Sequence, residues 1–327
     1  MSTLSRFQQS RDRGGAWLLA RQADDGAFPA SAPDIASYYK VPVAFQACGR
    51  SDAALRLCDW IRRHGLTPDG DFGPRSDAAM GHSYAYLNGW VICGAHRLGQ
   101  FDLSQRGMTF VLGFRDTESG GFYSSATERG ADTKQDLINT TMGGLAALYT
   151  GRADVARGAG EWLRNLLEAQ PDFPAKFYTV YSREVGLHTS PPAGELDRHV
   201  VHSDAERDQH FFNIGIAAAF LCRLSQATGE SQWLALAREV MRFAEVASDC
   251  LFRNVRAGKV GWAATLLALL TGESKYREMA IRIGENLLAL QAEEGYWSAP
   301  GQSGPNDDST AERVVWINTI CQVADGQ

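Results

Sequence analysis

Asp136 and Asn139 stand three residues apart in an otherwise apolar stretch, and His210 and Asn213 repeat that spacing further along the chain. Residues three apart share a helical face, and asparagine is a poor helix former. Each doublet therefore reads as a polar notch in an apolar wall. Asp208 precedes the second doublet, and His82 precedes the apolar run from Tyr84. Carboxylates and imidazoles move protons near neutral pH, so Asp136, Asp208, His210 and His82 are the catalytic candidates. The plainer reading makes the acids helix caps and the amides satisfied core groups.

Further polar and aromatic residues gather where apolar segments begin. Tyr38, Tyr39, Lys40, Tyr84, Tyr86, Arg256, Lys259, Trp262 and Trp316, with Asn139 and Asn213, form the expected substrate-binding set. Aromatic faces stabilise cationic character or stack on sugar rings, and basic groups hold carboxylates. Cys93 and His96 are three apart but have no second ligand cluster, so no metal site is expected. His188, His199 and His202 fall in one irregular stretch, enough for a metal, yet that stretch reads better as a covering loop. No cofactor is implied; the expected partner is a small-molecule substrate.

The elements that must position these groups are helical. Periodicity gives twelve helices, at about 4–21, 36–48, 51–64, 79–98, 103–114, 136–149, 152–169, 207–227, 230–248, 256–270, 274–291 and 309–324, with no convincing alternating strand. The even-numbered helices are apolar around most of their circumference and the odd ones carry charged faces, so the even set belongs inside. Short connections opening on Gly49, Gly99, Gly151, Gly229 and Gly272 follow the even helices, each with a Ser or Asp expected to cap the next helix. The longer connections after odd helices carry another formula, seen in Gln22-Ala-Asp-Asp-Gly26-Ala-Phe28 and again in Gln291-Ala-Glu-Glu-Gly295-Tyr-Trp297. Looser copies occur at Asp69-Gly70-Asp71-Phe72 and Ser119-Gly120-Gly121-Phe122. One repeat is longer than the others, and an insertion at about 171–206 supplies the excess.

Six helical hairpins can form an open solenoid or close as an all-α (α/α)6 toroid. The first and last helices carry Trp17, Leu18 and Leu19, then Val314, Val315, Trp316 and Ile317. Such apolar ends do not suit capping helices, so closure is expected, as one domain over 1–327. The long loops then surround one mouth of the ring. With 327 residues, 44% hydrophobic, 21% charged and net charge −6, the chain lacks the basic footprint of a nucleic-acid binder. Its apolar runs are too short for an integral membrane segment, and the N-terminus has no signal core, so a cytoplasmic location is expected. Six scattered cysteines read as buried thiols.

The long-loop formula resembles the QW motif of squalene–hopene and oxidosqualene cyclases. Arg13-Gly14, Trp17, Gln22, Gly26 and Phe28 follow it closely; Arg282, Gly284, Gln291, Gly295 and Trp297 follow it nearly as well; Arg106-Gly107, Phe110, Gly121 and Phe122 do so loosely. The resemblance implies the terpenoid-cyclase-type toroid, in which the motif ties outer helices together. The Asp-x-Asp-Asp acid of class II cyclases is absent, Asp69-Gly70-Asp71 being the nearest run, and so is any zinc cluster like that of prenyltransferases or lanthipeptide cyclases. The expected function is a non-metal cyclase or isomerase of a hydrophobic, polyene-like metabolite, with Asp136 or Asp208 as acid and His210 as base. The alternatives are a sugar-active epimerase, hydrolase or lyase on the same toroid, using His82 or His210 with an aspartate, and a non-catalytic binding scaffold.

Overall fold

The computed structural model describes residues 1–28, 33–81, 84–192 and 194–325. His82 lies outside them. Twelve long helices are present: α1 (Thr3–Leu19), α2 (Val41–Ala47), α3 (Ser51–Trp60), α4 (Tyr84–Arg97), α5 (Phe101–Leu112) and α6 (Leu137–Tyr149), then α7 (Ala153–Glu168), α8 (Phe212–Thr228), α9 (Ser231–Val246), α10 (Gly258–Thr271), α11 (Ser274–Ala289) and α12 (Asp307–Ala324). The even helices form the inner ring, each touching the next from α2 round to α12, and α12 touches α2 again. Outside it, α3, α5, α7, α9 and α11 pack on the inner helices that precede them, and α1 packs on α12. The two ends of the chain thus make the sixth pair. This is the (α/α)6 toroid.

Burial follows the pattern that assigned the rings. Ala85–Ala95 of α4 and Gly258–Leu267 of α10 are continuously buried. On outer α7 only one stripe is buried, through Val155, Ala156, Ala159, Trp162, Leu163 and Leu166. Small residues let inner helices touch backbone to backbone: a Cβ on Gly215 of α8 would lie 2.1 Å from the Lys259 carbonyl carbon of α10.

The long-loop glycines explain how neighbouring outer helices are held. Gly26, Gly70, Gly120 and Gly295 have φ of 94°, 99°, 83° and 101°. A Cβ on each would meet a backbone carbonyl oxygen of the next outer helix, at Arg56 (2.3 Å), Arg106 (2.5 Å), Gly158 (2.3 Å) and Arg13 (2.7 Å) respectively. Gln22 Nε2 donates to the Ala53 carbonyl at 2.9 Å, lacing α1 to α3. Gln291 Nε2 donates to the Ser10 carbonyl at 3.0 Å and its Oε1 accepts from Ser10 Oγ at 2.7 Å, lacing α11 back to α1. Two residues after each glycine, Phe28, Phe72, Phe122 and Trp297 are buried.

Several sequence expectations are corrected. The 36–48 helix is two pieces, Ile35–Tyr38 and α2, because Pro42 lacks an N–H and fits only a first turn. A 3-10 turn, Asp77–Met80, precedes α4, and a π turn, Ile61–Gly65, ends α3. The helix expected from 207 begins at Phe212, which leaves Asp208 and His210 outside it. The short-turn Ser and Asp residues are not caps: Arg50, Gln100, Arg152, Glu230 and Glu273 occupy those positions without side-chain capping bonds. Strands also exist. They are β1 (Gln135–Asp136), β2 (Lys176–Tyr178), β3 (Val180–Ser182), β4 (Gly186–Leu187) and β5 (Val200–His202). β3 pairs antiparallel with β1 and β4, with Asp136 opposite Val180, and β2 pairs with β5. No described helix is long and apolar enough to cross a membrane.

Glycine docking yields a stability prediction. Gly295→Ala combines a positive φ with a clash against the Arg13 carbonyl and should cost roughly 2–3 kcal/mol. Gly49 also has positive φ, 69°, but open space around it, so Gly49→Ala should cost about 1 kcal/mol. Chemical denaturation of both variants tests this; equal losses would remove docking from the account.

Candidate functional site

The long loops converge, as expected, on the N-terminal ends of the inner helices, and two connected lobes open there. The larger, about 380 Å³, is lined by Tyr39, Tyr86, Ser124, Lys134, Asp136, Thr179, Arg198, His199, His210, Phe212 and Asn213 among others. The smaller, about 270 Å³, shares Tyr39, Tyr86, His210 and Phe212 and adds Lys40, Arg256, Lys259, Asp308, Glu312 and Arg313. Volumes of this order suit small ligands.

The insertion builds one wall of the larger lobe. Leu137 N–H donates to the Thr179 carbonyl at 3.0 Å, and Thr179 N–H donates to the His199 carbonyl at 2.9 Å. These bonds carry His199, at the end of the short helix Leu196–His199, to the start of α6. The Glu195 carbonyl lies 3.0 Å from His199 Nδ1 and can only accept, so that nitrogen carries the proton. His199 Nε2 has Lys134 Nζ at 3.5 Å and the Glu195 carboxylate at 3.6 Å. A neutral imidazole can accept from that ammonium, and an imidazolium can donate to that carboxylate. Both protonation states have a partner.

Asp136 caps α6: Oδ1 accepts from the Asn139 N–H at 2.8 Å and Oδ2 from Asn139 Nδ2 at 2.7 Å. Asn139 Oδ1 in turn accepts from the Tyr86 N–H at 2.9 Å, which ties α6 to α4. Both the capping reading and the polar-notch reading of this doublet hold, because Asp136 also faces the cavity. His210 stacks on Phe212, ring centres 4.9 Å apart. Ser124 Oγ is buried without a hydrogen-bond partner among the described residues.

An ion cluster fills the base of the smaller lobe. Glu312 Oε2 lies 2.7 Å from Lys40 Nζ, and its Oε1 contacts Lys259 Nζ and accepts from Trp316 Nε1 at 3.1 Å. Lys40 also meets Asp308 at 2.8 Å. Burial alone would raise the Glu312 carboxyl, but Lys259, Lys40 and Arg313 outweigh it and hold it well below the usual range. Burial alone would lower Lys40, but Asp308 and Glu312 keep it well above its ordinary value. Both lysines also lie over aromatic rings, Lys40 4.8 Å from the Tyr39 centre and Lys259 5.4 Å from that of Phe212.

Other expected site residues sit elsewhere. Asp208 is exposed and lines neither lobe, although its ion-pair partner Arg256 lines the smaller one. Tyr38 is sealed in the core, its hydroxyl donating to the Gly73 carbonyl at 2.5 Å. Tyr84 donates to Asp71 within a network that includes Arg75 and Asn88, and faces neither lobe. Trp262 and Trp316 line a different cavity, at the opposite end of the ring. Lys134, Ser124, Thr179 and Arg198 were not anticipated, and His199 only as part of a cover. Among the described residues no group of three or more His, Cys, Asp or Glu is placed to hold a metal.

The cluster predicts an acid-sensitive fold. Glu312 is depressed relative to its ordinary value of 4.5, so its contribution is complete above that value and drains away as pH falls through the folded one. Glu312→Gln leaves two buried ammonium groups without their shared carboxylate and should cost about 3–5 kcal/mol at neutral pH. It should also flatten the fall of stability below pH 4.5, as read by denaturation across a pH series. An unchanged acid slope would assign that fall to other carboxylates.

No family model matches the chain, and no curated protein matches it. Solved structures do, over nearly the whole length. A D-mannose isomerase aligns with TM-score 0.71 and 12% identity, covering 97% of each chain. The GH76 α-mannanase of Bacteroides thetaiotaomicron aligns at 0.65 and 10%, covering 97% of this chain and 96% of that one. An unsaturated glucuronyl hydrolase specific for heparin aligns at 0.65 and 12%, covering 98% of each. At such identities the likeness establishes the (α/α)6 toroid. The resemblance to terpenoid cyclases holds for that toroid alone, since these neighbours are sugar-active enzymes.

Proposed function

We propose that the protein is a sugar-active enzyme that moves a proton on the carbon beside the carbonyl of an open-chain aldose or ketose, as an isomerase or 2-epimerase. The observation that carries this reading is the pair of imidazoles, His199 and His210, on the wall of one cavity whose other polar groups are mostly cationic or hydroxylic. His199, with partners for both protonation states, is the base. It takes the C2 proton, and the C–H electron pair becomes the C1–C2 double bond of an enediolate. His210 protonates the former carbonyl oxygen. Returning the proton to C1, with loss of the O2 proton, gives the ketose; returning it to the other face of C2, with the O1 proton going back to His210 as the C1 carbonyl re-forms, gives the epimer.

Lys134 and Arg198 favour the negative charge that develops on oxygen. Ser124 and Asp136 supply a donor and an acceptor for sugar hydroxyls, and Tyr39, Tyr86 and Phe212 supply faces for the carbon skeleton. Glycoside hydrolysis fits less well. It needs two carboxylates in a cleft, one of them protonated at neutral pH. In the smaller lobe Glu312 is held ionised by its lysines and Asp308 is paired with Lys40, and among the described residues Asp136 is the one carboxylate lining the larger lobe. A hydrocarbon cyclase fits worst, because so cationic a mouth gives an alkene nothing to bind. The sugar isomerase likeness supports the reading at the level of fold only.

The test is incubation with D-mannose, D-glucose, D-fructose and N-acetylated hexosamines in D2O, followed by NMR. Interconversion with solvent deuterium entering C2 is expected, and His199→Ala or His210→Ala should slow it by about 10²–10⁴-fold while leaving the melting temperature near wild type. Asp208→Asn should stay within a few-fold of wild type, whereas Asp136→Ala should not. Absence of turnover and exchange across the panel would sink the proposal; loss on Asp208→Asn alone would move the acid to the rim.

A further inference from the structure

The opposite end of the ring holds a second cavity, about 550 Å³ and larger than either lobe at the mouth. All six inner helices contribute to it, five from their middles and C-terminal halves and α10 through Trp262 in its first half. Part of its wall is apolar, formed by Val43, Met142, Leu145, Leu148 and Val315, and part is polar, formed by Gln226, Asn318, Thr319 and Gln322. Its floor is aromatic: Trp262 stacks on Trp316 with ring centres 4.9 Å apart and an interplanar angle of 17°, and Trp90 meets Trp316 edge-on at 5.7 Å. The indole N–H of Trp90, itself 5% exposed, is buried without a hydrogen-bond partner among the described residues. Leaving such a donor unpaired is costly.

The rim is cationic. Arg97 of α4 and Arg223 of α8 both line the cavity, and neither has a carboxylate partner among the described residues; Arg223 reaches only Gln226 Oε1, at 3.0 Å. Burial pushes the Tyr149 phenol up, and both guanidinium groups pull it back, so the two charges act on one hydroxyl from neighbouring helices. Arg97 lies in the last turn of α4, where the helix dipole favours a cation, but Arg223 lies more than a turn before the end of α8 and gains no such support. Neither position accounts for the chamber behind the two arginines, or for a buried donor at its floor.

We infer that this rear cavity is a binding site for an aromatic carboxylate: a flat apolar body against the tryptophan floor, a hydrogen-bond acceptor toward Trp90, and an anionic head between Arg97 and Arg223. The site is separate from the mouth and does not depend on the reaction proposed there. The tryptophan floor is shared, however. Lys40 lies 6.0 Å from the Trp90 ring centre and Lys259 5.7 Å from that of Trp316, both lysines belonging to the mouth cluster. A ligand behind the septum therefore presses on the residues that position those lysines.

The probes are 6-hydroxy-2-naphthoate, which carries all three features, and 2-naphthol, which lacks the carboxylate, with binding followed by calorimetry and by quenching of tryptophan fluorescence. The naphthoate should bind at least tenfold more tightly than the naphthol. Arg97→Met with Arg223→Met, at exposed or half-buried positions, should erase that preference by weakening the naphthoate about tenfold, with little change for the naphthol. Leu148→Trp, which fills the chamber, should abolish binding of both; if that variant fails to fold, Ala227→Leu at the rim serves the same purpose. Absence of naphthoate binding at millimolar concentration, or affinity unmoved by the arginine pair, would overturn the inference. So would displacement of the naphthoate by a sugar that is turned over, since it would place the probe in the mouth.

Discussion

Closure of the ring depends on one local constraint, a glycine in the left-handed region set directly against the backbone of the next outer helix. Any side chain there would meet a carbonyl oxygen at under 3 Å, as the distances from Gly26 to Arg56 and from Gly295 to Arg13 show. The glycine brings two outer helices within reach, and the glutamine that ends the preceding helix then bonds across the gap. Because the last such loop docks on the first helix, the chain's two ends are bound by the same contact that spaces its middle. An open array would leave the apolar faces of α1 and α12 in water. Instead each is the other's partner. The repeat is interrupted between α7 and α9, where Gln170 turns to the Tyr178 carbonyl and holds the insertion.

Once the ring is closed, the direction of its inner helices sets the electrostatics of both ends. Six N-termini converge on the mouth, and each contributes partial positive charge from unsatisfied N–H groups. Lys40, Lys259, Arg256 and Arg313 add to that field, and it is tolerable only because Glu312, Asp308 and Asp208 are threaded among them. Glu312 is the hub: one carboxylate shared by two buried ammonium groups, each also resting on aromatic faces. Such a cluster stabilises the fold little in net terms, since desolvation of three charges offsets most of the Coulomb gain. What it does is fix cation positions beside a cavity. That surrounding field suits chemistry in which negative charge appears on oxygen.

The toroid was legible because it repeats. Glycine-led turns and glycine–aromatic loops are local signals, and five turns with four loops outweigh the noise in any one, so twelve helices followed from spacing, and their inner and outer sorting from which of them carry charged faces. The cavity wall was not legible, for a physical reason. His199 reaches Asp136 through main-chain bonds from Leu137 to Thr179 and from Thr179 to His199, which tie together segments far apart in the chain. Phe177, Tyr178, Thr179, Val180 and Tyr181 do have the β-branched and aromatic character of strands. Their strands are only two or three residues long, too short to alternate visibly. Asp208 misled for a related reason. It stands where a helix N-terminus would profit from an acid, but its carboxylate goes to Arg256, while Gln209 Oε1 accepts from the His202 N–H at 3.3 Å, and the helix begins later.

The same ring explains why two chambers lie back to back. Inner helices that touch on all sides need small residues where they meet, as at Gly215 against Lys259 and Gly89 against Met142. Where the backbones are drawn together, only large flat side chains can fill the remaining axis without leaving a channel, and Trp90, Trp262 and Trp316 do so. The septum they form presents quadrupolar faces on both sides. On the mouth side those faces hold cations whose charges Glu312 balances. On the rear side Arg97 and Arg223 line the chamber, and Arg97 stands in the last turn of its helix, where the C-terminal carbonyls favour a cation. Placing a hydrophobic floor behind the ion cluster keeps water from reaching it from below. The depressed Glu312 and elevated Lys40 depend on that exclusion, because screening by water would weaken both the burial penalty and the pairing that overcomes it. The tryptophans are therefore part of the mouth's electrostatics, Trp316 donating to Glu312 and the Trp90 and Trp316 rings lying beside Lys40 and Lys259.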